Sequence, residues 1–183
     1  IKRKYGQSSW AEDGGYTFVY RPRFNTLADK PLVSIIIPMK DKATLTDQCV
    51  RSILEKSSYQ NYEILILDNR STKAQTFRWL DTIQQLDQRI KVLKADFEFN
   101  WSKINNYGME HAAGDVFILL NNDTVIISED WIERLSENAL RDEVGVVGPL
   151  LLYEDKTIQH AGVVVGMGGW ADHVFKGMET VHM

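Results

Sequence analysis

The chain has 183 residues, 44% hydrophobic and 25% charged, with a net charge of −4. It is long enough to bury a core in one domain or most of one, and it lacks the basic excess of a nucleic-acid binder. Its single cysteine, Cys49, excludes an internal disulfide and a cysteine-based zinc site and suits a reducing compartment.

No apolar run reaches the length of a membrane span and no signal peptide opens the chain. The first residue is not Met, which leads us to expect a piece of something longer. Residues 1–30 read as a lead-in arm or linker, loosely structured until Pro31. The cluster Lys2, Arg3 and Lys4 reads either as solvated charge or as a weak attraction to an anionic membrane surface.

Leu32 to Ile37 reads as a first buried strand, stopped by Pro38. A helix follows with Leu45, Cys49, Val50, Ile53 and Leu54 on one face, opened by a Thr44–Asp47 capping box. Glu63 to Leu67 is a second strand. Phe77, Leu80, Ile83 and Gln84 mark the face of a second helix, with Trp79 and Leu86 beside it. Ile90 to Leu93 is a short third strand. Ser102 is expected to cap a helix running through Ala113 and closed by Gly114.

Val116 to Leu120 reads as a strand buried on both faces, ending abruptly in Asn121-Asn122-Asp123. Ser128 is expected to cap a helix with Glu129 and Asp130 in its first turn and Trp131 or Ile132, Leu135 and Ala139 on its apolar face. Two β-branched runs, Val144 to Tyr153 and Ile158 to Val165, precede a Gly-rich turn at Gly166 to Gly169. Strands alternating with helices imply a parallel sheet covered on both faces, an α/β nucleotide-binding type of fold.

Three strands thus end in polar loops: Asp41 after the first, Asp68-Asn69 after the second, Asn121-Asn122-Asp123 after the fourth. In an open α/β sheet, ligands bind just beyond such carboxyl ends. A lone carboxylate at Asp123 suits a hard cation that also takes phosphate oxygens; a strand ending in an Asn-Asp turn needs no ligand at all. No Gly-x-Gly-x-x-Gly follows the first strand, and no Gly-Lys-Ser/Thr occurs anywhere. An aspartyl-phosphate mechanism would need a carboxylate where Asn121 stands, because an amide cannot form the acyl phosphate. What remains is a nucleotide diphosphate bound through a cation, with Asp68 or Asn69 able to meet a base edge.

Four motifs in series carry a resemblance. They are Val33-Ser34-Ile35-Ile36-Ile37-Pro38, Glu63 to Thr72, Asn106-x-Gly108 with Ala112-x-Gly114-Asp115, and Leu120 to Thr124. They resemble the family 2 glycosyltransferases with the GT-A fold, a Rossmann-like, mostly parallel sheet flanked by helices. Phe99 to Asn106 and Ile158 to Gly162 are similar to the rhamnosyltransferase-like subgroup that builds bacterial surface polysaccharides, lipopolysaccharide among them.

The resemblance implies that residues 31–183 are the donor-binding part of a GT-A domain. Pro38 and Asp41 would line the nucleotide pocket and Asp68 and Asn69 would face the base. Asn122 would sit near the ribose, Asn121 would belong to the same nucleotide-sugar site, and Asp123 would bind the Mg2+ or Mn2+ that bridges the diphosphate. Asn105 and Asn106 would order these loops or meet the sugar. Asn121 departs from the common Asp-x-Asp, which leaves the metal more dependent on nucleotide phosphates.

The implied activity is inverting transfer of a sugar from a UDP-, dTDP- or GDP-linked donor to a saccharide or lipid-linked saccharide acceptor. No nucleic acid is involved, and the parent protein would be cytoplasmic, with peripheral association at the inner face of the cytoplasmic membrane as a further expectation. The acceptor half and its catalytic base are expected beyond Met183, because Glu154 and Asp155 read as a solvated turn. The rival is a non-catalytic nucleotide-sugar-binding module of a larger protein. His160 reads as a half-buried structural histidine or as a neighbour of the donor site, and His111 as structural; His173 and His182 have no place in the pattern.

Overall fold

The computed structural model describes residues 9–15 and 17–180. Lys2, Arg3, Lys4 and His182 lie outside them. The chain divides into two compact units, Ile1–Leu140 and Arg141–Met183.

The first unit opens with an antiparallel hairpin, β1 (Ser9–Asp13) and β2 (Tyr20–Phe24). A loose arm was expected here. Instead Phe24 is buried, and Arg23 donates to both carboxylate oxygens of Glu137 at 3.0 and 3.1 Å while also gripping Glu12 at 2.7 Å. Thr26 Oγ1 adds a bond to the Glu137 carbonyl. Glu137 is buried, and Arg23 of the hairpin joins Arg134 in supplying the positive charge that a buried carboxylate requires.

β3 (Val33–Met39), β4 (Tyr62–Asp68), β5 (Ile90–Lys94) and β6 (Val116–Leu119) form a parallel sheet in the order β5-β4-β3-β6. Helices α1 (Ala43–Lys56), α2 (Ala74–Leu86) and α3 (Trp101–His111) connect them in turn, and α4 (Trp131–Ala139) follows β6. Side chains alternate between the faces of a strand. Val33, Ile35, Ile37, Ile64 and Ile66 therefore join Cys49, Val50 and Ile53 of α1, Leu80 and Ile83 of α2, and Ile132 of α4 in one core. Ile36, Leu65 and Leu67 meet Ile104 of α3 in the other.

The chain order reverses between β3 and β6, so a topological switch point opens at their carboxyl ends.

Several boundaries differ from the sequence expectation, each for a local reason. Pro38 does not stop β3, which continues paired with β4 to Met39. Ile36 accepts from Leu120 N and Met39 from Asn69 N, so position 38 points to the β6 side, where pairing has already ended at Leu119. The missing N–H of Pro38 therefore costs no ladder bond.

Thr44 lies inside α1, whose cap is Lys42 in the left-handed region, and no capping box forms. Asn100, not Ser102, caps α3 by accepting from Lys103 N at 2.9 Å. Asp130, not Ser128, precedes α4. Leu45, Phe77 and Leu86 are exposed; Thr46 and Thr76 take the inward places. β6 is buried on one face only: Phe117 and Leu119 are exposed, because β6 is the edge strand and α3 packs over β3 and β4.

Gly114 does not close a helix in the left-handed region. A Cβ there would lie 2.6 Å from the Leu32 carbonyl oxygen and 2.6 Å from Ser34 Oγ, so this glycine permits two backbones to touch.

The second unit consists of two short antiparallel pairs. β7 (Leu151–Leu152) pairs with β8 (Ile158–His160), and Glu154 and Asp155 occupy the turn, as expected. β9 (Val163–Val165) pairs with β10 (Ala171–His173) around the Gly-rich turn. The expected strand at Val144 to Tyr153 shrinks to its last apolar pair, and Val146 is exposed.

Candidate functional site

The carboxyl ends of β3, β4 and β6 bring the polar loops to one sheet edge, and the loops are tied to one another there. Asp68 is buried and its Oδ1 accepts from Ser71 N at 3.1 Å. Ser71 Oγ accepts from Asp41 N at 2.7 Å. Asp41 in turn accepts from Lys73 N at 3.0 Å, Thr72 N at 3.2 Å and Thr76 Oγ1 at 3.1 Å.

Desolvation works to raise the Asp41 pKa, but these amides and hydroxyls outweigh it and hold the carboxyl below its ordinary value. Asp41 is thus a clamp that joins the β3 loop to the start of α2. Sequence reading gave Asp41 a place in the pocket but missed Ser71, Thr72 and Thr76, although a Ser-Thr pair three residues after a strand-end Asp is a turn signal.

Asn69 is likewise engaged. Its Nδ2 donates to the carbonyls of Ala95 and Phe97 at 2.8 and 2.9 Å, which draws the β5 loop against the end of β4. Asp41, Lys42 and Arg70 all have positive φ, at 55, 58 and 63°. Such conformations cost about 1 kcal/mol or more each for residues with side chains and cluster at functional loops. Lys40, Lys42, Arg70 and Lys73 are exposed along these loops, a basic rim facing solvent at the edge.

Beyond β6, Asn121 is exposed and its carbonyl accepts weakly from Cys49 Sγ at 3.8 Å. Burial pushes the Cys49 thiol up to about 12, so it is a packed side chain and no nucleophile. Asn122 Nδ2 donates to Thr46 Oγ1 at 3.0 Å, which fixes the loop to α1. Asp123 is exposed and has no hydrogen-bond partner among the described residues.

No group of three or more His, Cys, Asp or Glu side chains able to hold a metal occurs among the described residues. A single carboxylate such as Asp123 suits a hard cation whose shell is completed by phosphate and water oxygens.

Asn105 lies on the sheet-facing stripe of α3 at 2% exposure, with Nδ2 donating to the Trp101 carbonyl and Oδ1 left without a partner. Asn106 is exposed on the other side of the helix. Of the histidines, His111 Nδ1 lies 2.8 Å from the Tyr107 carbonyl, a structural contact. His160 and His173 face each other within the second unit, Nδ1 to Nδ1 at 2.7 Å, so one donates and the other accepts.

A doubly wound parallel sheet with anion-friendly loops and one free carboxylate at its switch point is the architecture of a nucleotide-binding α/β protein. The chain belongs to glycosyl transferase family 2, whose profile matches residues 34–163. It is 39% identical over 173 residues to an uncharacterized protein, y4gI, of Sinorhizobium fredii, covering 94% of this chain and 19% of that protein. It is 42% identical over 156 residues to the O-antigen biosynthesis protein RfbC of Myxococcus xanthus, covering 85% of this chain and 12% of that protein. The chain thus spans less than a fifth of the length of these two relatives.

Its fold is that of the GT-A glycosyltransferases. The mannosyltransferase PcManGT of Pyrobaculum calidifontis, solved in complex with GDP-Man and Mn2+, superposes with a TM-score of 0.54 at 21% identity, over 63% of this chain and 34% of that one.

Proposed function

We propose that this chain carries the donor half-site of an inverting sugar transferase acting in bacterial cell-surface polysaccharide synthesis. The observation that carries the proposal is the free Asp123 carboxylate at the switch point, among loops tied together by the side chains of Asp41, Asp68, Asn69 and Asn122. Family membership supports transferase chemistry, and the name of the Myxococcus relative supports an O-antigen type of product. The GDP-Man and Mn2+ held by the Pyrobaculum mannosyltransferase support a divalent ion and a nucleotide-linked sugar.

In this reading Asp123 would hold Mg2+ or Mn2+, and the bound ion would supply Lewis acidity toward the leaving diphosphate. The basic rim of Lys40, Lys42, Arg70 and Lys73 draws the anionic donor to the edge. Pro38 forms the floor beside the switch point. Asp68 and Asn69 set the shape of the wall nearest the base through the bonds they make to Ser71 and the β5 loop. Asn122, bonded to Thr46, holds the loop that carries Asp123, and the exposed Asn121 is open to the donor. A base supplied from outside these loops deprotonates the acceptor hydroxyl, which attacks the anomeric carbon from the face opposite the leaving diphosphate. The donor is UDP-, dTDP- or GDP-linked, the acceptor is a saccharide or lipid-linked saccharide, and the parent works in the cytoplasm at the inner membrane face.

Among the described residues, Asp41 and Asp68 at this edge are already hydrogen-bonded and Asp123 is assigned to the metal, which leaves Asp96 and Glu98 of the β5 loop as its exposed carboxylates. In a second reading neither acts as base and the chain is a non-catalytic nucleotide-sugar-binding module of a larger protein. Release of the nucleoside diphosphate from UDP-, dTDP- and GDP-sugars, with Mn2+ and a saccharide acceptor, separates the two. Consumption of one donor, abolished by Asp123→Ala, supports the transferase. Tight donor binding with no consumption in the full-length protein supports the module.

A further inference from the structure

We infer that Trp101 is the stacking platform for the base of the nucleotide, an inference that rests on the donor-site reading above. Trp101 belongs to the stripe of α3 that faces the sheet. Ile104, Asn105 and Gly108 stand three, four and seven residues on, and all three are buried. At Gly108 a Cβ would meet Ile36 Cγ2 at 2.6 Å and Leu67 Cδ1 at 2.9 Å, so this stripe lies over β3 and β4. A connecting helix runs back against its strands, so its N-terminal end lies at their carboxyl ends. Seven residues of helix carry Trp101 about 10 Å from Gly108 toward that edge.

On its own stripe Trp101 should be as buried as Ile104, yet it is 47% exposed. It overhangs the end of the sheet instead of packing on it. A large, half-open indole at a ligand edge is a surface awaiting a flat partner.

The strand order says which part of the donor lies beneath it. Asp123 follows β6, and the ends of β3 and β4 lie one and two strand spacings away, about 5 and 10 Å. With the diphosphate anchored at Asp123, the group that reaches β3 and β4 is the nucleoside. The sugar, on the far side of the diphosphate, is carried away from Trp101.

A second observation points to the same place. Asn105 is held by its bond to the Trp101 carbonyl, and its buried Oδ1 is an acceptor with no donor. Buried acceptors in a finished core are satisfied. A base seated on Trp101 lies at the open end of this stripe, about one helical turn from Asn105.

The test compares two probes that share the phosphates and differ in the base. UDP, dTDP and GDP are titrated into the chain with Mn2+, and inorganic pyrophosphate is titrated the same way. Because the indole is half exposed, Trp101→Ala is expected to fold, and a far-ultraviolet circular dichroism spectrum checks that it does. Loss of one base–aromatic stack weakens the nucleotide roughly 5- to 100-fold, with pyrophosphate unchanged and Trp101→Phe in between. Equal nucleotide affinity in wild type and Trp101→Ala overturns the stacking and leaves the donor site standing, as does an equal loss for pyrophosphate. Failure of the unaltered chain to bind any nucleotide overturns the donor-site reading and the stacking with it.

Discussion

Gly114 shows how one atom sets the geometry at the amino end of β6. Its N–H donates to Ser34 Oγ at 2.9 Å, and the neighbouring Ala113 N–H donates to Glu63 Oε1 at 2.7 Å. Ser34 donates to the same Glu63 oxygen at 2.7 Å, and Lys91 meets its other oxygen at 2.7 Å. Desolvation works to raise the Glu63 pKa, and these partners hold it below the usual value. The turn into β6 is thereby seated against β3 and β4.

Because a Cβ at position 114 would press on a backbone carbonyl and on Ser34 N at 2.8 Å, Gly114→Ala is expected to lower stability by about 2 kcal/mol. Gly145, with nothing within 4 Å of a built Cβ, is the control and should change by less than about 0.5 kcal/mol on the same substitution. Urea unfolding measures both; equal small effects would show that the turn can open without loss. The sequence placed a glycine at the end of a helix and suggested a cap. The closer cause, contact with a strand eighty residues earlier, has no local signal.

At the scale of elements, the strands were readable because the short β-branched and apolar runs Ile35–Ile37 in β3 and Ile64–Leu67 in β4 are bounded by polar residues and loops. The caps were not. Thr44, Ser102 and Ser128 all satisfy the preference for a capping side chain, yet Lys42, Asn100 and Asp130 hold those places, since sequence preference does not fix the helix start to the residue. The hairpin was missed for a related reason: Arg23 finds Glu137 across 114 positions, and no window of sequence contains both. β6 read as doubly buried because its apolar run resembles that of a central strand, and its edge position belongs to the sheet.

Asp41 acts at this same scale, joining two loops and a helix start. Its folded pKa lies below the unfolded one, so its contribution is full above the unfolded value of about 4 and is lost as pH falls through the folded value. Asp41→Asn is therefore expected to be less stable than wild type at pH 7, with the gap narrowing at about pH 3. Denaturant unfolding at the two pH values decides it, and a gap that does not change with pH would mean the carboxylate charge contributes nothing.

For the whole molecule, the parallel sheet covered on both faces and the edge that gathers the polar loops followed from alternating strands and helices and from where polar residues interrupt apolar runs, while the strand order came only with the structure. The polar residues at the strand ends were legible as a group at one sheet edge, and the structure divides them by the bonds each makes. Asp41, Asn69 and Asn122 hold loops, Asp68 is buried in a turn, and Asp123 alone faces solvent with its carboxylate free. That division needs coordinates, since Asn, Asp and Ser at strand ends serve turns and ligands equally well.

The central claim is that Asp123 anchors a metal-bound nucleotide diphosphate at the switch point of this sheet. Calorimetric titration of the chain with UDP, dTDP and GDP, each with and without Mn2+, tests it most directly. We predict that one nucleotide binds, that binding needs the ion, and that Asp123→Ala removes it. Binding that is indifferent to Mn2+ and survives Asp123→Ala would contradict the claim.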